Sequence, residues 1–528
     1  MEAPICDLKF KGFYNQSLSL KTFAYICIII TLYYYMKRPI LLLLFISLYS
    51  LSSPAQNAEV LWDTDLQNKD AYSSQMLGRD NATDAFYLLR SQADGYYLQK
   101  FDADNRKIFD TPINMSSLKE AGGTMISVHK IIMLKDRFAA LMSSYNKKTS
   151  VAKAYVQDIS FDGELLSTIK PIGDVHSNDI VSFYLESSPD SNTIVACVAV
   201  AKQKKADKNN FAIRIYNKRL NEIYSRDVSV SQEENMNYKY ITTRTVLIDN
   251  AGEVYVLGSK VKSAYKKELC LWYLDATSDQ LRPVNLGLKN ETIKTSSIIT
   301  NSFGETVFSG FYNEPNEVFN HHTGYFYGIV NGKNGTVDNI KMTAIPQDAQ
   351  SPPFSYDALM PECTALLKKD GGQVWVLEYQ WYKNDDAHYG DMFVLNIDRD
   401  GALVYCVALP KSQVKLYGGL RSSDYTIYYS YLPMFDNSTN TLSLIFNDSQ
   451  KNSANTSSRP SQLLTINNRV LVVIAIDDKG NVSKRPVRLP ANDDTIFCPG
   501  QAMQITDNES VALGIRGNNF WLGRLILE

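Results

Sequence analysis

The stretch "GNNFWLGRLILE", residues 517–528, decides the fold. Aromatic and branched apolar residues behind a Gly-Asn-Asn turn read as a β-strand. An apolar strand with an open edge is an aggregation hazard, so this one needs a neighbour from elsewhere in the sequence. The candidate is "NAEVLWDTDLQ", residues 57–67, a strand-like segment with no partner of its own. If the two pair, the chain closes into a ring.

Between them the sequence repeats. Strand-like runs come in pairs: "FYLLRSQ" with "GYYLQKFD", "FAALMSSY" with "AKAYVQDIS", "TIVACVAVA" with "FAIRIYN", and "EVYVLGSKV" with "LCLWYLD". The series continues through "ETVFSGFY" with "GYFYGIV", "QVWVLEYQ" with "DMFVLNID", "LSLIFND" with "RVLVVIAID", and "SVALGIRG" with "NFWLGRLIL". Eight such pairs recur about every 50 to 70 residues, each flanked by a further run on either side, such as "YITTRTVLIDN" before and "LRPVNLGL" after. Turns entering the second strand ("DNAGE", "KDGGQ", "TDNES") and leaving the third ("SFDGE", "DRDGA", "DDKGN") place Gly or Asn where a tight hairpin needs positive φ.

Four antiparallel strands repeated eight times is the blade format of a β-propeller. The expectation is an all-β, eight-bladed ring over residues 56–528, with seven blades as the alternative; the last unit shows three strands and borrows its outer one from the head of the chain. Separate β-sandwiches would need linkers. The one Ser-rich seam, "SQKNSANTSSRPSQ" at 449–462, falls inside a unit.

Composition narrows the function classes. A net charge of -2 argues against a bulk nucleic-acid binder. The 33 Tyr and 22 Phe suit pleated, half-buried surfaces. From Met36, "MKRPILLLLFISLYSLSSPAQ" has the basic start, apolar stretch and small residues of a secretory signal cut after Ala55. Residues 1–35 then read as an upstream extension. Fusing "FAYICIIITLYYY" to the signal as one anchor would set Lys37 and Arg38 at mid-membrane, so no transmembrane segment is expected in the exported chain. The product is expected in the periplasm or outside the cell.

Of seven cysteines, Cys197, Cys270, Cys363, Cys406 and Cys498 remain after such a cut. The number is odd and most sit in apolar runs, which suits buried thiols rather than a disulfide framework.

No HExxH, GxSxG, GxxxxGK[ST] or GxGxxG occurs. "NIDRDGALVYCV" begins like a calcium loop with Asn396, Asp398, Asp400 and Gly401, but Val407 stands where the bidentate Glu belongs. It reads as a hairpin turn. "SFDGELL" and "IDRDGALVY" share only the Asp-Gly core of sialidase Asp-box turns.

"YLDATSDQLRPV" and "AIDDKGNVSKRPV" resemble the blade repeat of bacterial eight-bladed quinoprotein-type propellers, over about a dozen residues per blade. The resemblance implies ring architecture. Those families dock blades with a Trp after the turn, and Trp62, Trp272, Trp375, Trp381 and Trp521 do not recur there, so no quinone cofactor is implied.

Loops on one face of a rigid ring are the expected site. The loops of blades five and six, "NEPNEVFNHHTG" and "YKNDDAHYG", gather Tyr312, Phe319, His321, His322, Trp381, Tyr382, Asp385, Asp386, His388 and Tyr389. Flat rings beside polar groups suit a carbohydrate or a peptide ligand, or serve as plain edge packing. Asp386 and His388 offer acid/base groups for a hydrolase or lyase alternative. The third and fourth blades carry basic loops, with Lys204, Lys205, Lys266 and Lys267 as candidate anion contacts. The expectation is a binding or scaffold protein with no catalytic residue, metal or cofactor; its oligomeric state is not legible.

Overall fold

In the computed structural model, the described residues are 58–66, 73–93, 95–113, 125–146, 148–176, 180–201, 209–230, 240–261, 267–288, 292–313, 323–346, 358–383, 386–415, 428–453, 460–464, 466–489, 493–517 and 519–527. They form eight antiparallel sheets; in seven of them four strands follow in chain order from one edge to the other, and in the eighth the outer strand comes from Ala58–Asp65. Blade one runs over 73–112, two over 125–176, three over 180–230, four over 240–284, five over 292–344, six over 358–409 and seven over 432–486. First strands of neighbouring blades lie against one another, so they wall the central channel. The protein is an eight-bladed β-propeller.

The predicted closure is present. Ala58–Asp65 pairs antiparallel with Asn519–Leu527, from Ala58 opposite Leu527 to Asp65 opposite Trp521. It is the outer strand of blade eight, whose middle strands are Glu509–Arg516 and Asn519–Leu527. The first strand of that blade is broken in two, Ile496–Phe497 and Met503–Gln504, by a 3-10 turn at Pro499–Gln501. Proline removes a ladder donor there and explains why the sequence shows no continuous run.

Each blade is buried on both faces, which is why its second strand reads as an unbroken apolar run. In Thr193–Ala201, Ile194, Ala196, Val198 and Val200 pack into the seam with blade two, while Val195, Cys197 and Ala199 pack into the seam with blade four. Every seam holds such a core. The one between blades eight and one joins Val511, Leu513 and Leu522 to Phe86, Leu88 and Phe101. The five described cysteines form no disulfide and act as small hydrophobes; burial pushes the Cys197 thiol up to about 12.

The turn chemistry follows the sequence at Gly163, Gly252, Gly371, Gly401 and Gly480, all at positive φ. In "DRDGA" the Asp398 carboxylate accepts the N–H of Ala402 at 2.8 Å while Gly401 adopts φ +79°. "TDNES" is the exception. Asn508 is not among the described positive-φ residues, and the turn closes through the N–H groups of Ile505 and Thr506 on the Glu509 carbonyl.

Candidate functional site

Blade six departs most from the common plan. Its middle strands, Gln373–Lys383 and Asp386–Ile397, are 11 and 12 residues long. The fourth strand Leu403–Leu409 covers only Met392–Ile397, and Gln413–Lys415 takes its place opposite Ala387–Tyr389. This corrects the loop assignment of "YKNDDAHYG": His388 lies in a strand, because the alternating residues continue the ladder up to Lys383 opposite Asp386.

Alternation then separates the expected site residues. His388 sits opposite Trp381 with the two rings stacked at 5.0 Å and 11°. Burial draws the His388 pKa below its ordinary value, opposed by the nearby Asp386 carboxylate. Trp381 packs into the seam between blades five and six, with Phe311 and Trp375. Tyr389, one residue on, points to the other face and stacks on Tyr429 at 5.3 Å and 7°. Tyr312 packs against the core between blades four and five. Tyr312, Trp381 and Tyr389 thus serve three different surfaces, and the aromatic crowding seen in the sequence is seam and edge packing at these positions. Phe319, His321, His322 and Asp385 lie outside the described residues, as do Lys204, Lys205 and Lys266; of Tyr382 and Lys267 only the backbone is described. Among the described residues, no three His, Cys, Asp or Glu side chains gather to hold a metal ion.

Beneath the long hairpin lies an ion pair that the sequence does not announce. Lys411 and Glu378 are both 0% exposed and in direct contact. The Lys411 ammonium also sits 5.8 Å from the Tyr389 ring centroid and 5.4 Å from that of Phe446. Gln380 donates to the second Glu378 oxygen at 3.1 Å, and Asp391 accepts the Lys411 backbone N–H at 3.0 Å. Burial raises the Asp391 pKa. The pair anchors the chain after blade six under the hairpin and has no opening for a substrate in this arrangement.

The channel wall offers a different constellation. The first strands of blades one, two, four, five and six each slip register against their second strands. A bulge leaves one extra residue unpaired and re-aims its side chain. In blades two, four and five those extra residues are His129, Arg244 and Lys294, all basic. His129 lies with one face on the Phe183 ring at 3.8 Å, and its Nε2 is 2.8 Å from the Ser143 hydroxyl. Desolvation by this packing lowers its pKa. Lys130 pairs with Glu186 of blade three, and Tyr184 donates to the Thr243 carbonyl of blade four at 2.7 Å. The Arg244 guanidinium donates to the Ser296 hydroxyl of blade five at 3.3 Å, has no carboxylate partner among the described residues, and is drawn down in pKa by burial. The described inner-strand cations of this wall are thus Lys130 of blade two, held by Glu186 of blade three, and Arg244 of blade four. A bulge leaves no compositional mark beyond a locally broken alternation in "ITTRTVLI".

A cleft of about 540 Å³ opens between blades two and three. Its lining combines the apolar Val198, Val200 and Phe211 with the polar Asp174, Asn210 and the Arg214–Asp227 pair, at 2.8 Å.

No protein-family model matches the chain, and no curated protein does. Among solved structures it is similar to the β-propeller domain of the Trilobed protease from Pyrococcus furiosus, at 10% identity and TM-score 0.34, over 77% of this chain and 93% of that one. It is also similar to an oligogalacturonate lyase from Vibrio parahaemolyticus, at 9% identity and TM-score 0.40, over 74% and 94%. A third is prolyl oligopeptidase B from Galerina marginata, at 12% identity and TM-score 0.39, over 84% and 55%. At these identities no activity carries over to this chain.

Proposed function

We propose that this protein is an exported, non-catalytic binding propeller that holds an acidic polysaccharide at the channel mouth on its loop-bearing face, across blades two to five. The observation that carries the reading is the bulge placement of His129, Arg244 and Lys294 on channel-walling strands. A desolvated guanidinium without a carboxylate gains more from an anion than a solvated one does. Cations on separate blades, Lys130 and Arg244, suit a chain of repeated charges better than a single small anion. The sequence adds further basic residues, Lys204 and Lys205 between the second and third strands of blade three and Lys266 between those of blade four, with Lys267 opening the third strand of blade four, and these charges favour the same ligand class. The acid/base alternative loses ground because Asp386 faces Lys383 across the hairpin and one face of His388 is covered by Trp381.

The test is binding of residues 56–528 to a polyuronate and to a neutral glucan of equal length at two salt concentrations. The expected result is salt-sensitive binding to the polyuronate alone, weakened at least tenfold by Arg244→Gln with the far-ultraviolet circular dichroism unchanged. Equal retention of both polymers, or an Arg244→Gln protein that binds like the parent, would refute the reading.

A further inference from the structure

The extra residue at Arg244 has a cause in the facing strand. Thr243 stands opposite Gly258 and Thr245 opposite Leu257, so Arg244 has no residue across from it. A Cβ on Gly258 would sit 2.9 Å from the Thr242 carbonyl oxygen and 3.0 Å from the Trp272 ring, so glycine is what leaves room for the bulged backbone. Blade five repeats the device. Gly310 stands opposite Ser296, just past the slip between Ile293 and Thr295, and a Cβ there would overlap the Thr295 carbonyl oxygen. A bulge fixes which residue is extra; it does not by itself fix where the side chain goes.

Two neighbouring blades supply that direction. Tyr184 lies on the first strand of blade three, Ile180–Ser187, and packs into the seam with blade four. Its phenol donates to the Thr243 carbonyl at 2.7 Å. That carbonyl belongs to the planar peptide unit whose N–H is Arg244's own, so the bond sets the plane from which the bulged residue departs. Burial raises the Tyr184 pKa, which keeps the phenol protonated as a donor throughout the neutral range. On the other side, Ser296 of blade five accepts from the guanidinium at 3.3 Å. The backbone before Arg244 is thus tied to blade three and its tip to blade five. Both partners are neutral oxygens, which orient the guanidinium without cancelling its charge as a carboxylate would.

We infer that Tyr184 is the positioning residue for anion binding by Arg244. The inference rests on the reading above, in which Arg244 meets the polyuronate, and adds the group that holds it in place. Tyr184 acts through the Thr243–Arg244 peptide rather than by touching the ligand. Without the hydroxyl, the Thr243 carbonyl loses its donor from blade three and the peptide plane turns. The guanidinium then leaves Ser296 for orientations that no longer meet a carboxylate on the channel wall. Its charge stays, but its direction is lost. Tyr184→Phe isolates this effect, since the ring still fills the seam.

Tyr184→Phe, Arg244→Gln and the double variant of residues 56–528 test this in two ways. One is calorimetric titration with a polyuronate. The other is the nitrogen-15 arginine spectrum of the ligand-free protein, in which the Arg244 Nε–H signal is the one that Arg244→Gln removes. Tyr184→Phe is expected to weaken polyuronate binding about threefold or more, the scale of one lost hydrogen bond, and to weaken it no further in the Arg244→Gln background. It is also expected to shift the Arg244 Nε–H signal before any ligand is added, which loss of a seam-filling role alone would not do. An unshifted signal overturns the inference. So does a loss of equal size in both backgrounds, or an affinity untouched by Tyr184→Phe where Arg244→Gln weakens it. An Arg244→Gln protein that binds like the parent refutes the functional reading instead, and the ligand-free spectrum then decides alone whether Tyr184 sets the Arg244 geometry.

Discussion

The Tyr327 hydroxyl of blade five donates a 2.6 Å hydrogen bond to the Arg399 carbonyl in the third-to-fourth turn of blade six. Its ring lies against Gly401 of that turn, where an added Cβ would sit 2.6 Å from a ring carbon. The arrangement recurs around the ring: Tyr273 of blade four abuts Gly332 of blade five, and Tyr405 of blade six abuts Gly480 of blade seven. Tyrosine against a turn glycine does here what a repeated Trp does in the quinoprotein-type propellers. Gly401→Ala is expected to destabilise the protein by about 3 kcal/mol, combining left-handed strain with displacement of Tyr327. Gly252→Ala, at φ +79° with nothing within 4 Å, carries the strain alone and is expected to cost about 1 kcal/mol. Urea midpoints of the two variants check the difference.

These contacts also show where sequence reading stops. Blade number, strand order and closure were legible because each second strand is buried on both faces and each turn requires Gly, Asn or Asp. Blade docking was not, because a Tyr opposite a Gly some 70 residues away leaves no local pattern. The same holds for the site. The polar run "NDDAH" reads as a loop, yet cross-strand pairing of Trp381 with His388 carries the ladder through it. His129 and Arg244 carry no such signal, because a bulge is a property of two strands together.

Lys411 and Glu378 provide a second prediction. Two fully buried charges contribute little net stability as a pair, but removing one strands the other in a low-dielectric site. Lys411→Met is expected to destabilise by about 3 to 5 kcal/mol. Adding Glu378→Gln is expected to recover most of that loss, since the neutral amide leaves no uncompensated charge. A double-mutant cycle by chemical denaturation measures the coupling; additive losses would mean that the two side chains act independently.

Closure has its own test. Without Ala58–Asp65, the edge of Asn519–Leu527 is left unpaired, and the seam core loses Ala58 and Val60. A chain starting at residue 67 is expected to form concentration-dependent oligomers on size-exclusion chromatography and to melt lower than the chain starting at 56. Supplying residues 56–66 as a separate peptide is expected to return the elution volume to that of the chain starting at 56.

The last prediction concerns pH. Packing against Phe183 lowers the His129 pKa below its ordinary value of 6.5, so the ring is neutral at pH 7 in the free protein. For stability, the sign is that of a depressed base: the folded state holds fewer protons than the unfolded one below pH 6.5, so the stabilisation is complete above that value and declines as pH falls through the folded pKa. For a polyanion on the channel wall the sign is reversed, because a bound negative charge favours the imidazolium. Lys130 opposes that protonation and Glu186, its partner across the blade seam, assists it. Affinity for a polyuronate is therefore expected to rise as pH is lowered from 7 toward 5, with Arg244 charged throughout. His129→Gln is expected to flatten this rise while leaving the pH 7 affinity within about twofold, since the neutral ring contributes no charge there. Calorimetric titration at three pH values separates the outcomes; an unchanged pH slope in the variant would remove His129 from the binding surface.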